Sequence, residues 1–208
     1  MKIGVVGSGN VGSTLARGWI GKGHQVMLGV RDTESSAVRE RAEAIGAALG
    51  SVREAGSFGE LVVLAVPWPA VDDALAELGD LGGRVLLDCT NPLAPDLSGL
   101  ATGGDTSGGE HVASRAATAR VVKIFNTTGS DNMARPAYPD GPASMLLCGD
   151  DADARKTAAR LAGDLGFDPV DAGGLDAARL LEPLALLWIR LAMRQGLGRD
   201  IAFRLMRR

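Results

Sequence analysis

Two histidines and two cysteines are all that this chain of 208 residues offers for proton transfer by imidazole, thiol chemistry or soft-metal binding. His24 stands in a turn ahead of an apolar run and His111 at the start of a helical stretch, so neither falls where a general acid or base is expected. Cys89 and Cys148 each close a separate apolar run without metal-type spacing, and read as buried thiols of a reducing compartment. No Ser-His-Asp set, carboxylate pair or metal cluster presents itself, so no catalytic side chain and no metal ligand is expected. A net charge of −3 gives no reason to expect nucleic acid as a partner. The strongly apolar stretch Leu184 to Met193 is interrupted by Arg190 and is well short of the roughly 18 residues a membrane span needs. The N-terminus reads as strand and glycine loop rather than as a leader, which makes the expected location cytoplasmic.

Glycine, by contrast, is plentiful, at 29 residues, and its placement at the start is specific. Lys2-Ile3-Gly4-Val5-Val6 reads as a strand and runs into Gly7-Ser8-Gly9-Asn10-Val11-Gly12; an amphipathic stretch to Gly21 follows, then a second apolar run, His24 to Arg31. A strand, Gly-x-Gly-x-x-Gly, a helix and a second strand are the setting in which this pattern binds a dinucleotide. Gly7 permits the tight turn, Gly9 lets backbone approach a pyrophosphate, and Gly12 lets the helix pack closely on the sheet. The helix from about Val11 then offers unpaired N–H groups to the phosphates. At the end of the second strand, Arg31 can fork onto a 2′-phosphate, which favours NADP, while the adjacent Asp32 leaves NAD open.

The rest of the chain alternates. Ser35 to Leu49 has helical spacing; Leu61 to Val66, Val85 to Asp88, Val121 to Phe125 and Met145 to Cys148 are short apolar runs; Val71 to Leu81 and Ala152 to Leu165 are helical, with a short strand at Pro169-Val170. Such alternation predicts an α/β fold: a Rossmann-type, doubly wound, mostly parallel sheet with C-terminal helices. Residues 1–173 are read as the NAD(P)-binding unit, and 174–208 as a helical extension packing on that unit or on a dimer partner. Ser98 to Gly109, rich in glycine, reads as a mobile surface loop. Leu180, Leu181, Leu184, Leu187, Trp188, Leu191 and Ala192 cover most of a helix circumference, so that helix must be buried against the sheet, a second subunit, or both. Ile201 to Leu205 is expected beside it.

In this fold ligands bind outside the carboxyl ends of the strands. Those ends carry Ala65-Val66-Pro67-Trp68, Cys89-Thr90-Asn91-Pro92-Leu93 and Phe125-Asn126-Thr127-Thr128-Gly129, in which Asn, Thr and backbone groups suit an amide, a ribose or a flat ring, or simply make turns. Lys123 falls within a predicted strand and is expected to meet a charge partner or the crevice rim. A reaction that asks little of side chains fits best. Direct hydride transfer between two bound redox cofactors is one, since the cofactors carry the chemistry and the protein holds the rings about 3–3.5 Å apart.

The chain resembles the NADPH-dependent coenzyme F420 reductases, the F420H2:NADP oxidoreductase family, on Gly-Ser-Gly-Asn-Val-Gly at 7–12, Val66-Pro67-Trp68, Cys148-Gly149-Asp150-Asp151, Asp171-Ala172-Gly173 and Leu181-Glu182-Pro183-Leu184. The resemblance implies that Ser8, Gly9, Asn10 and Val11 hold the NADP phosphates, Arg31 the 2′-phosphate, and Val66, Pro67 and Trp68 the nicotinamide half. Asn126, Thr127, Thr128 and Gly129 would border the deazaflavin, and the C-terminal helices would form a homodimer interface. Ala65, Asn91 and Pro92, at the same strand ends, join the expected cofactor site. Two departures stand out: Val30 and Asp32 flank Arg31 where the family often has a hydroxyl and a second basic residue, and 126–129 differ from a His-Thr-x-Pro pattern. The soluble domains of membrane-bound metalloreductases, which reduce an ordinary flavin, look similar too. A free flavin or another small acceptor, and a non-catalytic NADP sensor, are therefore the alternatives; β-hydroxyacid and imine dehydrogenases share the N-terminal half but carry a larger helical domain.

Overall fold

A computed structural model describes all of residues 1–208. Six parallel strands form the main sheet: β1 (Lys2–Val6), β2 (Gln25–Val30), β3 (Ala48–Ser51), β4 (Leu61–Leu64), β5 (Val85–Asp88) and β6 (Arg120–Lys123), in the order β3-β2-β1-β4-β5-β6. The helices are α1 (Asn10–Ile20), α2 (Ser36–Ile45), α3 (Val52–Phe58), α4 (Val71–Leu78), α5 (Gly108–Arg115), α6 (Ser130–Ala134), α7 (Ala152–Asp164) and α8 (Ala178–Ile189), the last running on through a π-type turn, Arg190–Arg194. A small hairpin, β7 (Ala137–Tyr138) and β8 (Gly141–Pro142), precedes a parallel pair, β9 (Ser144–Leu147) and β10 (Asp168–Asp171). That pair joins the edge of the main sheet through one antiparallel bridge, Lys123 to Cys148.

The strand sequences explain the layering. Leu61 and Val63 of β4 point into one core, with Leu15 and Trp19 of α1 and Leu161 of α7; Val62 and Leu64 point into the other, with Leu75 of α4, Val112 of α5 and Leu181 of α8. A strand buried on both faces has no use for a polar residue, hence the unbroken apolar runs. Gly4 and Gly29 serve α3: a Cβ at Gly4 would lie 2.1 Å from the Ala55 carbonyl oxygen, and one at Gly29 would lie 2.7 Å from the Ala55 Cβ.

Three expectations need correction. The single helix from Ser35 to Leu49 is instead α2, ended at Gly46 in a left-handed conformation (φ 75°), followed by β3 and α3. Ser51 and Glu54 close a reciprocal capping box on α3, a pattern present in the sequence. The helix from Val71 stops at Leu78 because Gly79 (φ 68°) turns the chain, although Leu81 stays buried. The glycine-rich segment does not run as a surface loop to Gly109: Ser107, Gly108 and Gly109 are buried, and α5 begins at Gly108. The C-terminal segment does pack beside α8, where the Trp188 indole donates to the Ile201 carbonyl at 2.7 Å, and it also runs along β9, with Ser144 N–H donating to the Phe203 carbonyl at 3.0 Å.

Candidate active site

Strand order reverses between β1 and β4, and the carboxyl ends of β1, β2, β4 and β5 open there onto two adjoining cavities. The loop after β1 is built almost entirely from backbone. Gly7 has φ 107° and its N–H donates to the Gly29 carbonyl at 2.9 Å; a Cβ on it would lie 2.4 Å from the Ala65 carbonyl oxygen. A Cβ on Gly12 would come within 2.1 Å of the Gly7 carbonyl oxygen. The fold itself therefore demands these two glycines. Gly9 is different, because a Cβ there would meet nothing within 4 Å. Its bare Cα borders both cavities at the N-terminus of α1, where no acidic residue occupies the first turn and no side chain caps the helix. Ser13 Oγ and Arg41 Nη1 both donate to the Ser8 carbonyl, at 2.9 and 2.5 Å, and brace the loop from outside.

The first cavity, about 330 Å³, runs from this loop to the end of β2, where Arg31 and Asp32 line it, and across to Asp73 and Glu77 on α4. Asp32 is turned onto its own loop, accepting the Glu34 N–H at 2.9 Å. The second, about 470 Å³, is predominantly apolar and lies between Gly9, Asn10 and Val11 on one side, Cys89, Thr90 and Asn91 on another, and Leu93, Ala94, Pro95 and Leu97 at its mouth. Ala65, Val66 and Pro67 form the ridge the two share, and Trp68 belongs to the second alone. Trp68 is fixed edge-on against His111, centroids 5.4 Å apart, and His111 Nε2 lies 2.8 Å from Asp72 Oδ1.

Most of the residues singled out by sequence come together here: Gly7, Ser8, Gly9 and Arg31 around the first cavity, and Asn10, Val11, Trp68 and Asn91 around the second. Gly12 lies beneath the loop, and Pro92 sits beside Gly108 and lines neither cavity. Asn126, Thr127, Thr128 and Gly129 also line neither. Asn126 and Thr127 are buried, Asn126 donating to Asn91 Oδ1 at 3.1 Å while Asn91 donates to the Asn126 carbonyl at 2.9 Å. Gly129 is packed against the Trp188 ring. Just ahead of them Phe125 is held at φ 61°, its buried ring edge-on to Trp19 and Phe167.

Leu93, at the end of the fifth strand, does line the cavity, but sequence reading missed Ala94, Pro95 and Leu97 at its mouth and the acidic side chains of α4. Lys123 does meet a charge partner, as its place in a strand predicts, but it meets two, the buried carboxylates of Asp88 at 2.7 Å and Glu182 at 2.9 Å. Glu182 is the single acidic residue of α8, and that was the available signal for the second. Burial, with the charge of Asp88 adding to it, pushes the Cys89 thiol well above its usual range, and burial pushes Cys148 up to about 12. Neither is poised as a nucleophile.

Comparison with known proteins gives the family. Residues 2–92 match the family model described as NADP oxidoreductase coenzyme F420-dependent. The F420-dependent NADP reductase of Methanothermobacter thermautotrophicus is 31% identical over 210 residues, covering 93% of this chain and 90% of that protein. The chain belongs to the F420-dependent NADP oxidoreductase family. A crystal structure from Arthrobacter sp. FB24, described as an F420-dependent NADP reductase, superposes over the whole of both chains with a TM-score of 0.91 at 31% identity. Metalloreductase STEAP3 of Rattus norvegicus is 33% identical over 193 residues, covering 89% of this chain but only 37% of that longer protein. The protein is an NADP-dependent oxidoreductase. No helix is long and apolar enough to cross a membrane.

Proposed function

We propose that this reductase passes a hydride between NADP(H), which runs along the first cavity and carries its nicotinamide over the shared ridge into the second, and the deazaflavin coenzyme F420, which lies in the second. The observation that carries the reading is the meeting of the two cavities over Gly9 and the Ala65–Pro67 ridge, where the walls are backbone and small apolar side chains. The residues present fit NADP(H). The open space at Gly9 and the free N–H groups opening α1 suit a pyrophosphate, with Ser8, Asn10 and Val11 flanking it. Arg31, exposed at the far end of the first cavity, suits the 2′-phosphate, and Asp73 and Glu77 suit hydroxyl or amine donors of the adenosine. The nicotinamide then belongs beside Val66, Pro67 and Trp68, with Asn91 within reach of its amide.

Bound NADPH supplies the hydride, and a solvent proton completes the reduced deazaflavin. What the chain contributes is alignment and dryness: Pro67 and Trp68 flank one ring, and Leu93 to Leu97 shield the other. Asn126 to Gly129 act in this reading from behind Asn91, supporting the acceptor side rather than touching it. Residues 1–173 serve as the cofactor unit and 174–208 as its helical extension. On α8, Leu180 is 72% and Leu187 46% exposed, an apolar face that we assign to a second copy of the chain; light scattering should give twice the chain mass.

The test is NADPH oxidation by purified protein, followed at the visible band of the deazaflavin, with a riboflavin phosphate in parallel. Bleaching of the deazaflavin alone supports the proposal. Reduction of the flavin alone selects the second reading, a flavin reductase, which is favoured by the identity to the rat metalloreductase and by the departure of Asn126-Thr127-Thr128-Gly129 from the family pattern.

A further inference from the structure

One charged cluster is closed off behind the cavities and used by neither. Asp88 ends β5 and Lys123 ends β6, opposite each other in register, and Glu182 enters from α8; none is more than 1% exposed. The Lys123 ammonium donates to the Thr90 carbonyl at 2.9 Å and is ion-paired with two carboxylates, its nitrogen 2.7 Å from Asp88 Oδ2 and 2.9 Å from Glu182 Oε1. Burial disfavours the charged amine, but the two carboxylates outweigh it and leave the Lys123 pKa above its ordinary value. Glu182 also accepts the N–H groups of Gly108 and Gly109, both at 2.9 Å, from the first turn of α5.

Stability alone does not account for this arrangement, because apolar replacements of buried ion clusters are often neutral or stabilising. Its neighbours are more telling. Asp88 Oδ1 accepts both the N–H and the hydroxyl of Thr90, at 2.9 and 2.7 Å, so the cluster holds Thr90 through its N–H, its hydroxyl and its carbonyl. Thr90 and Asn91 are one wall of the apolar cavity. On the other side, Gly108 sits so close to the wall residue Trp68 that a Cβ would lie 3.0 Å from its ring and 3.1 Å from Glu182. The cluster therefore grips two walls of one cavity from behind.

We propose that Lys123 and Glu182 are positioning residues, which fix the Thr90–Asn91 wall and Trp68 at the spacing that stacks a flat acceptor ring on the nicotinamide. This rests on the two-cavity reading of the site. Neither residue touches substrate; each acts through a backbone segment it holds.

Glu182→Gln keeps the volume and leaves Asp88 and Lys123 as a balanced pair, so no charge is stranded. In the full-length variant, amides at 108–109 and 89–91 should exchange with solvent about tenfold faster or more, while β1 and α1 keep wild-type protection. The kcat with coenzyme F420 should fall about a hundredfold with the NADPH dissociation constant within about twofold of wild type, as expected when ring alignment is lost and cofactor binding is not. Asp88→Asn, which balances Lys123 against Glu182 instead, should confine the faster exchange to 89–91. Unchanged or uniformly faster exchange, a wild-type kcat, or kcat and NADPH affinity falling together would overturn the proposal. Should the wild type fail to reduce coenzyme F420, the acceptor reading falls by itself, and the exchange pattern still decides what the cluster does.

Discussion

The glycine loop after β1 and the ionic cluster between β5 and β6 stand at the same edge of one sheet and are built in opposite ways. The loop carries no charged side chain and leaves its N–H groups facing open space at Gly9. The cluster carries three charges and leaves nothing facing out, the Lys123 ammonium being ion-paired with two carboxylates and bonded to the Thr90 carbonyl inside the protein. The contrast separates two uses of polarity. Groups meant for a ligand are left unpaired and accessible, whereas groups meant to hold a wall are satisfied internally and sealed. Gly7 and Gly12 show that the same division runs inside the loop, since they answer to the fold and Gly9 does not.

The division can be broken most severely at Gly12. In Gly12→Val the new side chain meets the Gly7 carbonyl oxygen, backbone that cannot move aside, and the protein should lose about 3 kcal/mol or more of stability in urea unfolding, or fail to fold. A stable, fully folded Gly12→Val would mean that the loop is far softer than its contacts suggest. Gly9→Val should behave oppositely: unfolding unchanged, but NADPH affinity lower by roughly a hundredfold, the equivalent of one or two hydrogen bonds to a charged phosphate. Retained affinity in that variant would make the loop a structural turn.

Arg31→Ala sharpens the ligand side further. NADPH binding should weaken by about tenfold to a hundredfold while NADH binding barely changes. Equal losses for both cofactors would remove Arg31 from the 2′-phosphate. The smallest effect is on the sealed side: with burial holding its thiol protonated, Cys148 should not react with a thiol reagent at neutral pH until the protein unfolds. Rapid titration of Cys148 in the native protein would show that the region around the cluster opens.

What could be read from sequence follows the same line. Gly7, Gly9 and Gly12 were legible because their requirement is local: a strand, a turn and a helix within a few residues. The parallel sheet was legible from runs such as Leu61 to Leu64, which are apolar because both faces are buried. The α2–β3–α3 segment was misread because Ala47 to Gly50 has too little side chain to show a period of two, although Ser51 and Glu54 announced a new helix. The cluster was out of reach in a different way. Asp88 and Lys123 meet only through strand register, and Glu182 only because α8 folds back over α5, so no spacing along the chain connects them. Likewise, nothing in Asn126-Thr127-Thr128-Gly129 indicates that Phe125 takes a left-handed conformation or that Asn126 is bonded to Asn91.

The most direct test of hydride transfer across the shared ridge uses NADPH deuterated at the transferring position of the nicotinamide, mixed with the protein and oxidised coenzyme F420 in ordinary water. Direct transfer places the deuterium in the reduced deazaflavin, detectable by mass spectrometry after a single turnover. Deuterium lost to solvent, or retained in unoxidised NADPH, would contradict it.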